Sequence, residues 1–440
     1  MSGKVTVIGA GLAGCEAAFR LAENGFDVRL VEMRPAKTTG AHKTGLFAEL
    51  VCSNSFKSKD ALSPPGELKV ELSLWGSLVM TAAIKTAVPA GQALAVDREL
   101  FAKFITEKIR SHKNIRCETK EETSLETDEL TIIATGPLTS EKLAEEVSRL
   151  TGRENLYFYD AISPIVDAES IDMGNAFSAS RYGRGGDDYI NCPMNRDEYD
   201  AFRNALLAAE KVKLHPFEEE RYFEGCLPLE VIAGRGEESL VFGPFKPVGL
   251  TAPDKSGGEK PFCVVQLRPE NRDKSAYSLV ACQTRLTYPE QKRVFRLIPA
   301  LRNARFLRYG SIHRNSYINS PVLLGGALEL RGRENLRFAG QLTGVEGYLE
   351  SVAMGVWSAE ALIQARREGR VIPPPKESAV GALLNYVLNG NPDKPYFEPM
   401  NVNLSIFPPP EKGSPKKDRK KALIERAESR FKHWLTETAK

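Results

Sequence analysis

The chain lacks any C-x-x-C pair, any apolar run approaching a membrane span, any internal repeat and any marked excess of one charge. Its seven cysteines (Cys15, Cys52, Cys117, Cys192, Cys226, Cys263 and Cys282) are scattered over 440 residues. An odd, unclustered set argues against a zinc site and against a disulfide framework, so a reducing cytoplasm is the expected location. The missing apolar run excludes a membrane helix. The N-terminus passes almost at once into "KVTVIGAG", so no signal peptide is expected. Lys and Arg number 60 against 57 Asp and Glu, a net charge of +3. That balance neither requires nor excludes nucleic acid; only local clusters can speak to it.

What is present begins with "VTVIGAGLAGCEAAFRLAENGFDVRLVEMRP". Four β-favouring residues, Val5 to Ile8, lead into Gly9-Ala10-Gly11-Leu12-Ala13-Gly14. A helical run from Cys15 to Asn24 follows, then Gly25, then a strand from Val28 to Val31 ending on Glu32. In this strand–turn–helix–strand setting the glycines read as a dinucleotide fingerprint. They permit a tight turn and let the backbone approach a pyrophosphate at the helix N-terminus, and Glu32 is placed to accept from ribose hydroxyls. The fingerprint serves NAD and FAD alike. Two later segments help to choose. "ELTIIATGP" reads as a strand closing on Ala134, Thr135 and Gly136. "NLRFAGQLTGVEGYLESVAMGVWSAEALIQA" reads as a strand, a turn at Gly340 and a long helix. The three pieces together resemble the nucleotide-binding domain of two-part flavoproteins, which favours FAD. Gly340, Gln341, Gly347 and Tyr348 join the cofactor-binding candidates on that ground.

Between roughly residues 150 and 300 the texture changes to short alternating runs punctuated by Gly, Pro and Asp, with one amphipathic helix in "DEYDAFRNALLAAEKV". The expected fold class is α/β: a Rossmann-like, glutathione-reductase-like FAD-binding domain carrying a β-rich α+β insertion. The expected division is 1–150 and 306–370 for the FAD-binding domain and 151–305 for the insertion on the substrate side. "VIPPPKES" reads as a linker, and 371–440 as that linker plus a basic amphipathic C-terminal helix.

"EGCLPLEVIAGRG" places Cys226 before a run that reads as a short helix opened by Pro228 and closed by Gly234. The positive end of a helix dipole lowers a thiol pKa, so Cys226 is expected to be a poised thiolate.

At these segments and others the chain resembles the bacterial folate- and FAD-dependent tRNA uracil-5-methyltransferases. The likeness is carried in order by "GAGLAGCEAA", "EMRP", "FAELVCSNS", "VPAGQALAVDRE", "ATGPLTSE", "YDAISPIVDAESID", "RYGRGGDDYINCPM", "FEGCLPLE", "FGPFKPVGL", "RYGSIHRNSYINSP" and "GVEGYLES". It runs over nearly the whole chain. The resemblance implies methylation of the T-loop uridine of tRNA, with methylenetetrahydrofolate as carbon donor and reduced FAD as methylene carrier and reductant, itself reduced by NADH or NADPH. It marks Cys52 as a second catalytic cysteine beside Cys226, acting as proton acceptor or as guard of the flavin. Cys192 reads as structural.

The residues can be asked whether they suit that chemistry. Carbon 5 of uracil is a poor nucleophile, and a thiolate adding to carbon 6 makes an enolate reactive at carbon 5. Cys226 suits that role. His313, with Arg314, stands where an imidazole could stack on a pteridine, and His42 is a weaker candidate. Transfer RNA needs cations: Arg293, Arg296, Arg302, Arg305 and Arg308 crowd one stretch, and Lys416, Lys417, Arg419, Lys420 and Lys421 crowd the tail. The expected partners are the T-arm of tRNA and folate, with no membrane and no stable protein partner. Two other readings compete: the related wobble-uridine flavoproteins, which carry a longer helical C-terminal domain, and a flavin-dependent NAD(P)H oxidoreductase.

Overall fold

The computed structural model describes residues 3–152, 156–213, 222–223, 226–250, 260–391, 396–409 and 418–438. Glu224 and Gly225, just before Cys226, and Lys416 and Lys417 of the tail lie outside the described residues.

The first sheet has six strands in the order Glu329–Leu330, Arg333–Phe338, Thr131–Ile133, Lys4–Ile8, Asp27–Glu32, Ile115–Thr119, all parallel except the first pair. Strands buried on both faces read as nearly unbroken apolar runs, and "VTVI" and "TII" do so. Strand order reverses at Lys4–Ile8, whose neighbours are Asp27–Glu32 on one side and Thr131–Ile133 on the other. In such sheets the crevice beyond the carboxyl ends at the reversal point is where ligands sit.

Two helices cover that crevice. Leu12–Glu23 follows the first strand, and Tyr348–Glu368 packs against it, with every residue from Leu349 to Gln364 buried. Burial on all sides makes this a core helix rather than a surface one. The two approach closely: a Cβ at Gly355 would stand 2.5 Å from the Ala13 carbonyl oxygen.

A second sheet, antiparallel throughout, runs Phe177–Ser178, Ile190–Met194, Cys263–Pro269, Ala276–Leu279, Ile165–Asp167, Phe306–Arg308. It has its own core, in which Cys192, Cys263 and Cys282 are buried. The chain enters this region along Leu156–Ala161 and leaves along Ile312–Tyr317, and these two strands pair with each other in an antiparallel ribbon. The ribbon therefore joins the two cores.

The segment after residue 370 is more than a connector and a tail. Ala379–Asn389 is a helix whose apolar residues enter the first core. Its N-terminal N–H groups at Ala379 and Val380 donate to the buried Glu71 carboxylate at 2.6 and 2.8 Å. The basic helix Arg419–Thr438 buries Leu423, Ile424, Ala427, Phe431 and Trp434, and Trp75 meets both Phe431 and Trp434 edge-on. Among the described residues no helix is long and apolar enough to cross a membrane.

Candidate active site

The nucleotide cradle is built mostly from backbone. Gly9 adopts φ +99° and its N–H donates to the Val31 carbonyl, which turns the chain out of the sheet. A Cβ at Gly14 would lie 1.8 Å from the Gly9 carbonyl oxygen, so only glycine allows the helix to start this close to the turn. Gly11 differs: a Cβ there would meet nothing within 4 Å. Gly11 is also the N-cap of Leu12–Glu23 and offers no side-chain cap. The first-turn N–H groups therefore face an open space, as an anion at a helix N-terminus requires. Ala10, Leu12 and Ala13 complete this turn.

Glu32 closes the second strand. Burial raises its pKa, but Arg34 and the Ala10 N–H outweigh burial and hold the carboxyl below the usual range. Ala10 N donates to Oε2 at 2.8 Å, while Arg34 N and Nε donate to Oε1 at 3.0 Å. Oε2, which accepts one bond, keeps a second lone pair for a ribose hydroxyl. A cleft of about 530 Å³ is lined by Gly9, Gly11, Glu32, Arg34, His42 and Thr135, among others. It shares Met33, Leu138, Thr139 and Ser140 with a wider opening of about 1980 Å³, where Arg314 stands over the Tyr157 ring at 4.4 Å. Gly136 turns at φ +68° beside this cleft, and its carbonyl accepts from Thr139. The open Gly11 face, the uncapped helix and the buried acid fit a dinucleotide cofactor.

The second group of candidates converges at the start of the long helix. Gly340 (φ +71°) turns the chain against Ala13, and Gln341 donates through Nε2 to Glu346. Gly347 is the N-cap at φ +117°, where a Cβ would stand 2.2 Å from Glu350 Oε2. Tyr348 ties the Cys52 loop to this helix: its hydroxyl accepts from Cys52 N at 2.9 Å and donates to the Ser53 carbonyl at 3.0 Å. Two guanidiniums brace the same loop. Arg98 donates to the carbonyls of Leu50 and Cys52, and Arg308 to those of Val51 and Ala41, at 2.9 and 3.3 Å.

Cys226 arrives at this loop from the insertion. Its Sγ and one oxygen each of Asp160 and Glu346 all lie within 4.8 Å of one another. Asp160 is buried on the ribbon strand Leu156–Ala161, directly opposite His313 in the pairing register. Burial pushes its carboxyl up to about 6, against hydrogen bonds from Cys226, the Ala161 N–H and Asn315. Its Oδ1 has no hydrogen-bond partner among the described residues.

The expected thiolate is not there. The helix after Cys226 is only Leu229–Gly234, with Pro228 as N-cap rather than first helical residue, so Cys226 stands two residues outside it. Burial and then the charge of Asp160 push the Cys226 thiol well above its ordinary value. Cys52 is raised too, by burial and again by Asp160, with Arg98 and Arg308 pulling the other way. Burial and the charge of Asp160 push the Glu346 carboxyl well above the usual range. The group thus sets one carboxylate that titrates near 6 beside three groups whose protons are held more tightly than usual.

His313 shares a hydrogen bond with Ser311 Oγ at 2.8 Å, and His42 with Thr39 Oγ1 at 2.7 Å. Burial lowers both to about 4, helped by Arg34 at His42 and by Arg308 at His313, so both rings are neutral at pH 7. The arginine stretch does not form one patch. Arg293 pairs with Glu290, Arg305 with Asp167 and Glu169, Arg296 donates to the Ala304 carbonyl, and Arg308 turns inward. Sequence reasoning passed over Asp160, Glu346, Arg98 and Asn315. "YDAISP" and "GVEGYLES" contain two of them, but nothing in their spacing announces an acid.

The fold and cradle define a class first. Residues 4–369 match the family described as glucose inhibited division protein A. Solved structures of Aquifex aeolicus GidA superpose with TM-scores of 0.69 and 0.70 at 15% identity, covering 99% of this chain and 73% and 76% of those. Within that class the closer likeness is to curated enzymes named methylenetetrahydrofolate–tRNA-(uracil-5-)-methyltransferase TrmFO. The relative from Desulforudis audaxviator is 53% identical over 99% of both chains, and that from Aquifex aeolicus 50% identical over 99% of this chain and 97% of its own. The chain belongs to the methylenetetrahydrofolate–tRNA-(uracil-5-)-methyltransferase TrmFO family.

Proposed function

We infer that the protein methylates carbon 5 of the T-loop uridine of tRNA in the cytoplasm, with methylenetetrahydrofolate as one-carbon donor, FAD as cofactor and NADH or NADPH as reductant. The observation that carries this reading is the Cys226 thiol set against one ionisable carboxylate, Asp160, beside the Cys52 loop. Gly9, Gly11, Glu32 and the turn at Gly340 and Gly347 would hold FAD, which would supply electrons and activation of the one-carbon unit. The remaining tasks belong to the chain.

Above pH 6 Asp160 is ionised and accepts the Cys226 proton as sulfur attacks carbon 6. The S–C6 bond forms and the carbon 5–carbon 6 π pair moves onto the carbon 4 oxygen. The resulting enolate attacks the one-carbon unit through carbon 5. Burial is the largest cause that keeps Cys52 a thiol; protonation of Asp160 removes the second cause, and Arg98 and Arg308 act toward the thiolate. Cys52, once ionised, takes the carbon 5 proton; the electron pair re-forms the carbon 5–carbon 6 double bond, the S–C6 bond breaks and Cys226 recovers its proton from Asp160. Asp160 and Glu346 are buried and Cys226 and Cys52 half-buried, which limits the access of water to the reacting centre. His313 and His42, both neutral, are flat surfaces against which a pteridine can lie.

The test is a donor swap. The protein should methylate a T-arm RNA when methylenetetrahydrofolate and a reductant are supplied, and not with S-adenosylmethionine alone. Equal activity with S-adenosylmethionine as sole donor would end the reading.

A further inference from the structure

Only two ring pairs among those in contact lie nearly parallel, among the described residues, and they share a ring. Tyr288 stacks on Tyr309 at 4.9 Å and 16°, and Tyr309 on Phe306 at 5.2 Å and 14°. The other ring contacts are tilted or edge-on, as packing in a core produces. The stack runs from the core outward: Phe306 is half-buried against the second core, while Tyr288 is 56% exposed and the adjoining Leu307 is 57% exposed. Its last ring belongs to Phe306–Arg308, an edge strand of the second sheet.

Two further observations say what such a surface would hold. The first is charge. Of the cations of residues 288–309, Arg308 turns inward, Arg296 serves the Ala304 carbonyl, and Arg293 and Arg305 pair with Glu290, Asp167 and Glu169, which leaves Lys292 and Arg302 at the surface. Lys292 is exposed four residues from Tyr288 on the helix Tyr288–Phe295, and so on the same side of it. Arg302 is exposed as well, and Arg293 and Arg305 hold their acids in exposed pairs that a phosphate can replace. The second is place. Arg308, between Phe306 and Tyr309, is hydrogen-bonded to the Val51 carbonyl next to Cys52. Gly310 and Ser311 then lead to His313, opposite Asp160. Arg308 thus ties the strand that carries Phe306 to the Cys52 loop.

We propose that Tyr288, Tyr309 and Phe306 form a stacking platform for an unpaired base of the RNA loop next to the target uridine. Planar rings in a cationic setting are the means by which proteins hold unstacked bases without reading their sequence. The platform would accept a base that leaves the loop stack when the uridine is extruded, and would offset part of that cost. This rests on the reading that the substrate is an RNA loop. A pterin is also a flat ring, but the surrounding cations call for a phosphate chain, so folate is the competing occupant.

The test uses full-length FAD-loaded protein and a T-arm hairpin carrying 2-aminopurine beside the target uridine. Tyr288→Leu should weaken RNA binding by about ten- to a hundredfold and abolish the quenching of 2-aminopurine. Tyr288→Phe, which keeps the ring, should retain both. The KM for methylenetetrahydrofolate should stay within about twofold in either variant. Because Tyr288 is exposed, an unchanged melting temperature will separate loss of stacking from loss of fold. Wild-type affinity and quenching in Tyr288→Leu would overturn the platform while leaving the methyltransferase reading intact. So would a raised KM for folate with unchanged RNA binding. Failure of the wild-type protein to bind the hairpin at all would overturn both.

Discussion

The nucleotide cradle and the Cys226 group are made in opposite ways. The cradle is local and largely main chain: one turn, one helix start and one acid within residues 9–32 set its shape. The reactive group is remote and entirely side chain. Cys52, Asp160, Cys226, Asn315 and Glu346 come from five separate segments that only the finished fold brings together. A cradle of this kind tolerates change wherever backbone geometry survives. The reactive group depends on the charge state of one carboxylate, so it should fail when that charge is altered even with every atom in place.

The largest effect should come from the sulfur. Cys226→Ala should remove the covalent adduct with RNA bearing 5-fluorouracil and lower turnover by at least about a thousandfold. Trapping on denaturing gels checks it, and an undiminished adduct would move the nucleophile elsewhere. Asp160→Asn should lower turnover by about a hundred- to ten-thousandfold. It should also lower the thiol pKa of Cys226, because the carboxylate charge is among the causes that raise it. Iodoacetamide reactivity against pH reads this directly. A variant that is more reactive to alkylation yet slower in catalysis would separate a base from a mere neighbour.

The cradle should break differently. Gly11→Val places a branched side chain in the open space before the helix and should strip the yellow cofactor, while the melting temperature of the apoprotein changes little. Flavin absorbance per chain measures it. Trp434→Ala lies far from both sites and should cost about 3–5 kcal/mol of stability, since Trp434 is buried against Trp75 and donates to the Ile372 carbonyl. Denaturant unfolding checks that.

The smallest effect concerns His313. Its folded pKa is about 4, below the ordinary 6.5, so the unfolded chain binds the extra proton first. Its contribution is present above pH 6.5 and is lost as pH falls toward 4. Asp160, whose pKa is raised, acts in the opposite sense, so the difference between His313→Gln and the parent is the quantity to measure. The variant should lose less stability than the parent between pH 6.5 and 4.

This contrast also explains what was legible in the sequence. Gly9, Gly11, Gly14 and Glu32 announce themselves because their function requires a fixed spacing along one stretch of chain. Parallel strands betray themselves through unbroken apolar runs such as "TII". Cys226 stands out through the proline-led run after it and Cys52 through the resemblance, but their ionisation does not, because it is set by burial and by Asp160 from a distant ribbon. The same limit applies to the arginines of residues 293–308. They read as one basic stretch, yet strand and turn geometry sends Arg308 inward to the Cys52 loop and leaves Lys292 and Arg302 outside. Ala379–Asn389 is masked in the sequence by the prolines before it, which look like a connector, although its apolar face enters the core.

The most direct measurement is the rate of 5-fluorouracil RNA adduct formation against pH in wild-type and Asp160→Asn proteins. The wild-type rate should climb through an apparent pKa near 6 to a plateau, and the Asp160→Asn rate should be low with that inflection gone. An Asp160→Asn profile that keeps both the inflection and the plateau would contradict the assignment of Asp160 as the acceptor of the Cys226 proton.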